Sequence, residues 1–340
     1  VTLPHAKCYK INFLGGKFMI INSHVHVNTD ENYFFYNDYG LKRLLTEIEQ
    51  NGIDMAFPCL NPKIGIFRCP NDCSMTCTFT VLGASSQPTV NNNLNNCKCE
   101  HPKRHRVCVT EDGGKLILRC RTCGKLILET TIDPLRRYNL DLINLCRAYR
   151  HSIKPLIYVS LCTATIQAEI NFFEKYFADD FVGFKLHPWN DQVSVANFKF
   201  HSSKPVLIHT GMRELESAKN AVIFAAQNPE IKTVIAHAAT LDEEVLKKIA
   251  TMENVYIDCC PSSFMYDSKD SSLFYPEEIL SPEDIYYKAL DFLPSGKILF
   301  GTDSPWGNSE NELAVVRNLK IPESVREQIL FKNARDVYLS

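Results

Sequence analysis

The stretch Ile20-Ile21-Asn22-Ser23-His24-Val25-His26-Val27 is an apolar run that closes on two histidines one residue apart. In an extended chain residues i and i+2 point to the same side, so both imidazoles can reach one point. A divalent cation is the usual reason to gather imidazoles in this way. A lone His-x-His pair decides little, and its weight comes from repetition. Further apolar runs close on polar residues of ligand type: 181–187 with Lys185 and His187, 205–209 with His209, 233–237 with His237, and 297–303 with Asp303.

Outward from this stretch, apolar runs alternate with helical periodicity. Leu41, Leu44, Leu45 and Ile48 share a helical face that Asn51-Gly52 ends, and residues 53–60 read as a second buried strand. Further strands are expected at 155–161, 181–187, 205–209, 233–237, 255–259 and 297–303. Helices are expected through Leu140, Ile143, Leu145 and Cys146, and at 166–177, 214–227, 241–250 and 282–292. Eight short strands mostly separated by helices call for a parallel sheet covered by helices. Setting aside 1–18 and 61–131 leaves residues 19–60 and 132–340, 251 in all. A (β/α)8 barrel of TIM type needs roughly 250. A doubly wound open sheet gives no reason for strands one, four, five, six and eight to end on ligand residues, whereas a barrel gathers those ends at one mouth. The fold class is therefore α/β, a TIM-type barrel with an insertion after strand two.

That insertion, residues 61–131, holds eight of the fourteen cysteines: Cys69, Cys73, Cys77, Cys97, Cys99, Cys108, Cys120 and Cys123. Cys120-Arg121-Thr122-Cys123-Gly124 has the spacing of a zinc knuckle, with glycine for the tight turn. Cys97 and Cys99 supply the other pair, with His101 or Cys108 as substitutes. Residues 106–110 and 115–119 flank Glu111-Asp112-Gly113-Gly114 as a hairpin. The segment resembles a zinc ribbon, although one residue separates its first pair where ribbons normally have two. Residues 97–125 carry eight Lys or Arg against three acidic residues. A tetrathiolate zinc offsets about two of those charges, so a lid or protein-docking surface is expected ahead of nucleic acid.

Elsewhere composition excludes more than it selects. Apolar content of 45% and charged content of 22% belong to an ordinary soluble globular protein. A net charge of −2 makes no general case for nucleic acid or a membrane surface. No apolar run reaches the roughly 20 residues of a membrane span. Fourteen cysteines without a secretory signal point to reduced thiols, metal ligands and the cytoplasm. Met19 directly precedes the first strand, and Leu14-Gly15-Gly16-Lys17 suits a ribosome-binding sequence read in frame, so residues 1–18 are expected to be a non-native extension.

Taken in order, residues 22–26, Gly183-Phe184-Lys185-Leu186-His187-Pro188, 205–211, 234–237, Phe300-Gly301-Thr302-Asp303-Ser304-Pro305 and Leu330-Phe331-Lys332-Asn333-Ala334-Arg335 resemble the amidohydrolase superfamily, in its amidohydrolase-2 branch. The resemblance covers the barrel and omits 1–18 and 61–131. It implies that His24, His26, His209 and Asp303 bind zinc, manganese, iron or cobalt. Asp303 would act as acid and base, and His237 would polarise a carbonyl or bind a second metal. Lys185 stands where some relatives carry a carboxylated lysine between two metals, but Leu186-His187-Pro188 suits the one-metal branch. His187-Pro188-Trp189 resembles a ligand segment of decarboxylating relatives, one strand early, so His209 ranks above His187. The resemblance implies a metal-dependent hydrolase acting on a C–N or ester-like bond of a small molecule. A decarboxylase or hydratase with the same ligands is the nearest alternative. An inactive scaffold working through the ribbon, alone or with a second copy or protein partner, is the further one.

Overall fold

The computed structural model describes residues 19–27, 38–60, 107–112, 115–120, 126–131, 134–161, 166–262 and 281–340. Strand β1 (Ile21–His26) is bonded along both edges, which closes the barrel. On one side it pairs in parallel with β2 (Met55–Cys59). On the other, Ser23 N–H donates to the Phe300 carbonyl, while the N–H groups of Thr302 and Asp303 donate to that of His24.

Between β2 and the next barrel strand stands a separate antiparallel sheet of β3 (Val107–Asp112), β4 (Lys115–Cys120) and β5 (Leu126–Thr131). The expected hairpin is present, but β3 runs through Glu111 to Asp112, which pairs with Lys115. Strand β5 was not foreseen. Cys69, Cys73, Cys77, Cys97, Cys99, His101 and Cys123 lie outside the described residues, as do residues 1–18.

The barrel resumes where β2 meets residues 152–154 through Ala56 N–H to Ser152 O and Lys154 N–H to Ala56 O. From there β6 (Leu156–Tyr158), β7 (Gly183–Leu186), β8 (Val206–Ile208), β9 (Thr233–Ile235), β10 (Val255–Asp258) and β11 (Ile298–Leu299) lie in sequence order, all parallel. All eight expected barrel strands are present, and β11 passes directly to β1. Gly301 makes that approach feasible, since a Cβ there would stand 2.8 Å from Cys260 Sγ and 3.0 Å from His24 Cβ.

Period-2 alternation sorts the strand residues into two cores. Ile157, Phe184, Ile208, Ile235, Ile257 and Ile298 pack among the helices, while Ile21, Phe57, Leu156, Leu207, Val234 and Leu299 fill the barrel, with Tyr338 of the C-terminal helix packed against them. Two helices start later than expected. Ser217 has a non-helical ψ of 136° and its hydroxyl accepts from Lys219 N–H, so 214–227 divides into a 3-10 turn, Glu214–Glu216, and a helix, Ala218–Gln227. Asp242 similarly caps the helix Glu243–Ala250.

One buried carboxylate ties the mouth together. Asp191, on the short helix Pro188–Asp191, accepts from Tyr158 Oη (2.9 Å), Ser160 Oγ (3.0 Å) and Leu161 N (2.7 Å). Burial pushes its carboxyl up to about 7, even though all three donors pull it down. Asp191→Ala removes the acceptor from these buried donors, so a stability loss of about 3 kcal/mol is expected. Urea unfolding monitored by fluorescence checks this, with Asp191→Asn losing less.

Candidate metal centre

The bonds between β1 and residues 300–303 bring His24, His26 and Asp303 to one point. Asp303 Oδ1 lies 3.2 Å from His24 Nε2 and 3.0 Å from His26 Nε2, and all three residues are buried. Asp303 takes a left-handed φ of 51°, a strained state for a residue with a Cβ. Asn22 steadies the turn by donating to Thr302 Oγ1 at 2.8 Å. Arg43 reinforces it from the helix Asp38–Asn51, donating to the His26 carbonyl at 2.6 Å and to Ser304 Oγ.

The second nitrogen of each imidazole is already occupied. His26 Nδ1 is 3.2 Å from the Cys59 carbonyl, which can only accept, so Nδ1 carries the hydrogen. His24 Nδ1 is 3.0 Å from Asp258 Oδ2 and donates to it. Both Nε2 atoms are therefore the ones left to meet Asp303, or a metal in its place. Carboxylate- and carbonyl-tied imidazoles of this kind are the usual outer support of a metal site. Donor atoms bound at about 2.0–2.1 Å stand about 3.0–3.4 Å apart, so the two contacts match edges of a coordination polyhedron. The residues fit a divalent cation. Lys185 Nζ lies 2.8 Å from the same His24 Nε2, and a metal taking that lone pair requires Lys185 to release it.

Electrostatics agree with this arrangement. Burial opposes charge on Asp303, but His24, His26 and His237 hold its carboxyl well below the usual carboxylate range. Burial, with Lys185 alongside, keeps His24 neutral. Burial also disfavours charge on His26, yet Cys59 and Asp303 raise it to about 9, as expected for a ring with acceptors on both sides.

A second line of histidines leads outward. His237 Nδ1 meets the Cys260 carbonyl, and its Nε2 is 3.0 Å from His209 Nδ1. His209 Nε2 faces Glu216 Oε2 at 3.3 Å, and its ring stacks on His187 at 3.7 Å. Burial lowers His209 to about 3 and His237 to about 4. His209 thus reaches the centre through His237, whose ring centroid is 5.5 Å from that of His24. His187 Nδ1 accepts from Asn190 N–H and caps the short helix after β7. His237 opens a run of five left-handed residues, 237–241, with φ between 51° and 57°. Its N–H there donates to Asp258 Oδ1 at 3.0 Å.

Asp258, Cys59, Cys260 and Glu216 were not among the sequence candidates. Asp258 had a visible signal, since it closes the apolar run Val255-Tyr256-Ile257 as the recognised ligands close theirs. The thiols fit the outer support better than the centre. Cys59 Sγ is 3.4 Å and 3.9 Å from the two nitrogens of His26, so it lies beside the ring and along neither lone pair. Cys260 Sγ is 3.4 Å from His24 Nδ1, the nitrogen that Asp258 occupies. At the rim, Arg213 stacks on Trp189 at 4.1 Å, and Trp306 meets His26 edge-on at 4.7 Å.

Residues 204–339 match the family model described as Amidohydrolase. No curated protein matches the chain. Among solved structures, 5-carboxyvanillate decarboxylase from Sphingomonas paucimobilis is similar at TM-score 0.59 and 14% identity, covering 95% of this chain and 99% of that one. A dihydroxybenzoic acid decarboxylase from a Polaromonas species, with bound manganese, is similar at TM-score 0.54 and 12% identity, covering 94% and 97%. A probable 2-pyrone-4,6-dicarboxylic acid hydrolase from Acinetobacter baumannii is similar at TM-score 0.51 and 12% identity, covering 94% and 99%. At these identities the likeness speaks for the fold. Among the described residues, no helix is long and apolar enough to cross a membrane.

Proposed function

We propose that this chain is a member of the amidohydrolase superfamily, in its amidohydrolase-2 branch, and a metal-dependent hydrolase of a small molecule, cutting a C–N or ester-like bond. The observation that carries the reading is Asp303 Oδ1 set between the Nε2 atoms of His24 and His26. A divalent ion held by these three residues would acidify a water and polarise a carbonyl. Asp303, kept ionised, takes the proton of the attacking water and returns it to the leaving group. With Nδ1 committed to the Cys260 carbonyl, neutral His237 presents Nε2 as an acceptor. His209 Nδ1 stands 3.0 Å from that nitrogen, where the resemblance implies a group that polarises the carbonyl. Buried Lys185, with Nζ 2.8 Å from His24 Nε2, is placed to meet a substrate carboxylate.

That lysine favours a second reading, decarboxylation, because a carboxylate must be held beside the metal if its bond to carbon is to break. Two of the similar structures described above are decarboxylases, which supports the alternative. Turnover in 18O-labelled water separates the two. The label is expected in one product without release of carbon dioxide, and stoichiometric carbon dioxide instead moves the assignment to a decarboxylase. For the insertion, the proposal remains a structural zinc held by Cys97, Cys99, Cys120 and Cys123.

A further inference from the structure

A buried carboxylate stands one chain segment behind the centre. Glu312 lies on the helix Ser309–Asn318, and its Oε2 accepts from the N–H of Ser262 at 3.0 Å and from the Ser262 hydroxyl at 2.6 Å. Both residues are fully buried. The helix that carries Glu312 is itself anchored, since Ser309 Oγ donates to Glu47 Oε2 at 2.7 Å, and Leu313 and Val316 pack in the core. Ser262 lies in the segment that follows β10, and the front of that segment bears on the centre at three points. The Cys260 carbonyl lies 2.5 Å from His237 Nδ1, and Cys260 N–H reaches Asp258 Oδ1 at 3.4 Å. Pro261 packs so closely on the turn after Asp303 that a Cβ on Gly307 would stand 2.6 Å from Pro261 Cβ.

We propose that Glu312 is a positioning residue for the metal centre: it holds Ser262, and through Ser262 it fixes the segment 260–262 against which Asp258, His237 and the Asp303 turn are set. The inference rests on the metal assignment above and not on which bond the enzyme cuts. Glu312 acts here by reach. Ser262 brings two donors to one oxygen, so a neutral acceptor at the same distance serves as well as a carboxylate. A carboxylate one methylene shorter falls about 1.5 Å short, outside hydrogen-bond range of both donors. The segment must then follow the shorter side chain away from the centre or lose its anchor.

Cobalt(II) is the probe, because its visible d–d absorption follows the geometry of its ligands. The full-length protein is titrated with cobalt in competition with a chelator of known affinity. A double variant, His24→Ala with His26→Ala, supplies the background from any cobalt held by cysteines. Glu312→Asp keeps the charge and shortens the reach. It is expected to bind cobalt about 10-fold more weakly, the lower end of what a lost outer support costs, with a shifted d–d band. Glu312→Gln keeps the reach and drops the charge, and its affinity and spectrum should match wild type. Glu312→Asp that binds cobalt as wild type does, even with a lowered melting temperature, overturns the proposal, because Glu312 then serves stability alone. So does Glu312→Gln as impaired as Glu312→Asp, which assigns the effect to charge. Should Glu312→Asp fail to fold, Ser262→Ala decides. It removes the shorter bond, so cobalt affinity is expected to fall, and an unchanged affinity overturns the proposal. A wild type that binds no more cobalt than the double variant refutes the metal centre itself, and this inference falls with it. A wild type that binds while Glu312→Asp binds as tightly refutes the inference alone.

Discussion

Asp303→Asn is expected to reduce kcat by about 10²- to 10⁴-fold, the usual contribution of a positioned acid–base group, while KM changes by only a few-fold. The amide keeps the size of the carboxylate and one oxygen that can still face His24 and His26. It loses the charge that those rings stabilise, and with it the ability to take a proton. A residue used only to bind substrate would raise KM and spare kcat, so the split between the two constants is diagnostic. Metal content measured on the same sample separates failed proton transfer from failed binding. Unchanged turnover at full metal content removes Asp303 from the mechanism.

The barrel could be read from sequence because its signal is local. Each strand is a short apolar run, period-2 alternation fixes the inward positions, and the polar residue ending each run marks the mouth. His24, His26, Lys185 and Asp303 meet as that logic requires. Apart from Asp258, which closes an apolar run, the supporting residues were hidden, and most of their partnerships are long-range. Asp258 reaches His24 across 234 positions, and the Cys260 carbonyl belongs to the backbone of a loop that no spacing rule marks. Glu216 looks like an ordinary helix residue until Ser217 interrupts the helix. The left-handed turn at 237–241 was also illegible, since residues such as Ala238 and Leu241 give none of the permission for positive φ that glycine gives.

Asp258→Asn tests whether this outer support sets the affinity for metal. Asp258 accepts at both oxygens: Oδ2 from His24 Nδ1 at 3.0 Å and Oδ1 from His237 N–H at 3.0 Å. Asparagine has one acceptor and one donor, so it can serve only one of these partners. The His237 N–H belongs to the backbone and cannot change, which keeps the amide oxygen on that side. The amide N–H2 must then point at His24 Nδ1, and the imidazole answers by moving its hydrogen to Nε2. That blocks the lone pair that now faces Lys185 Nζ and that a metal would take. Removing such a support typically costs 10- to 100-fold in metal affinity, and a tautomer reversal places the expected loss at the upper end, about 100-fold. Competition with a chelator of known affinity measures it without an activity assay. Cys260→Ser is the control. Its side chain also approaches His24 Nδ1, at 3.4 Å, but the Asp258 bond is left in place, so metal affinity should stay within a few-fold of wild type. A chelator titration in which Asp258→Asn matches wild type would mean that Asp258 holds the loop and does not tune His24.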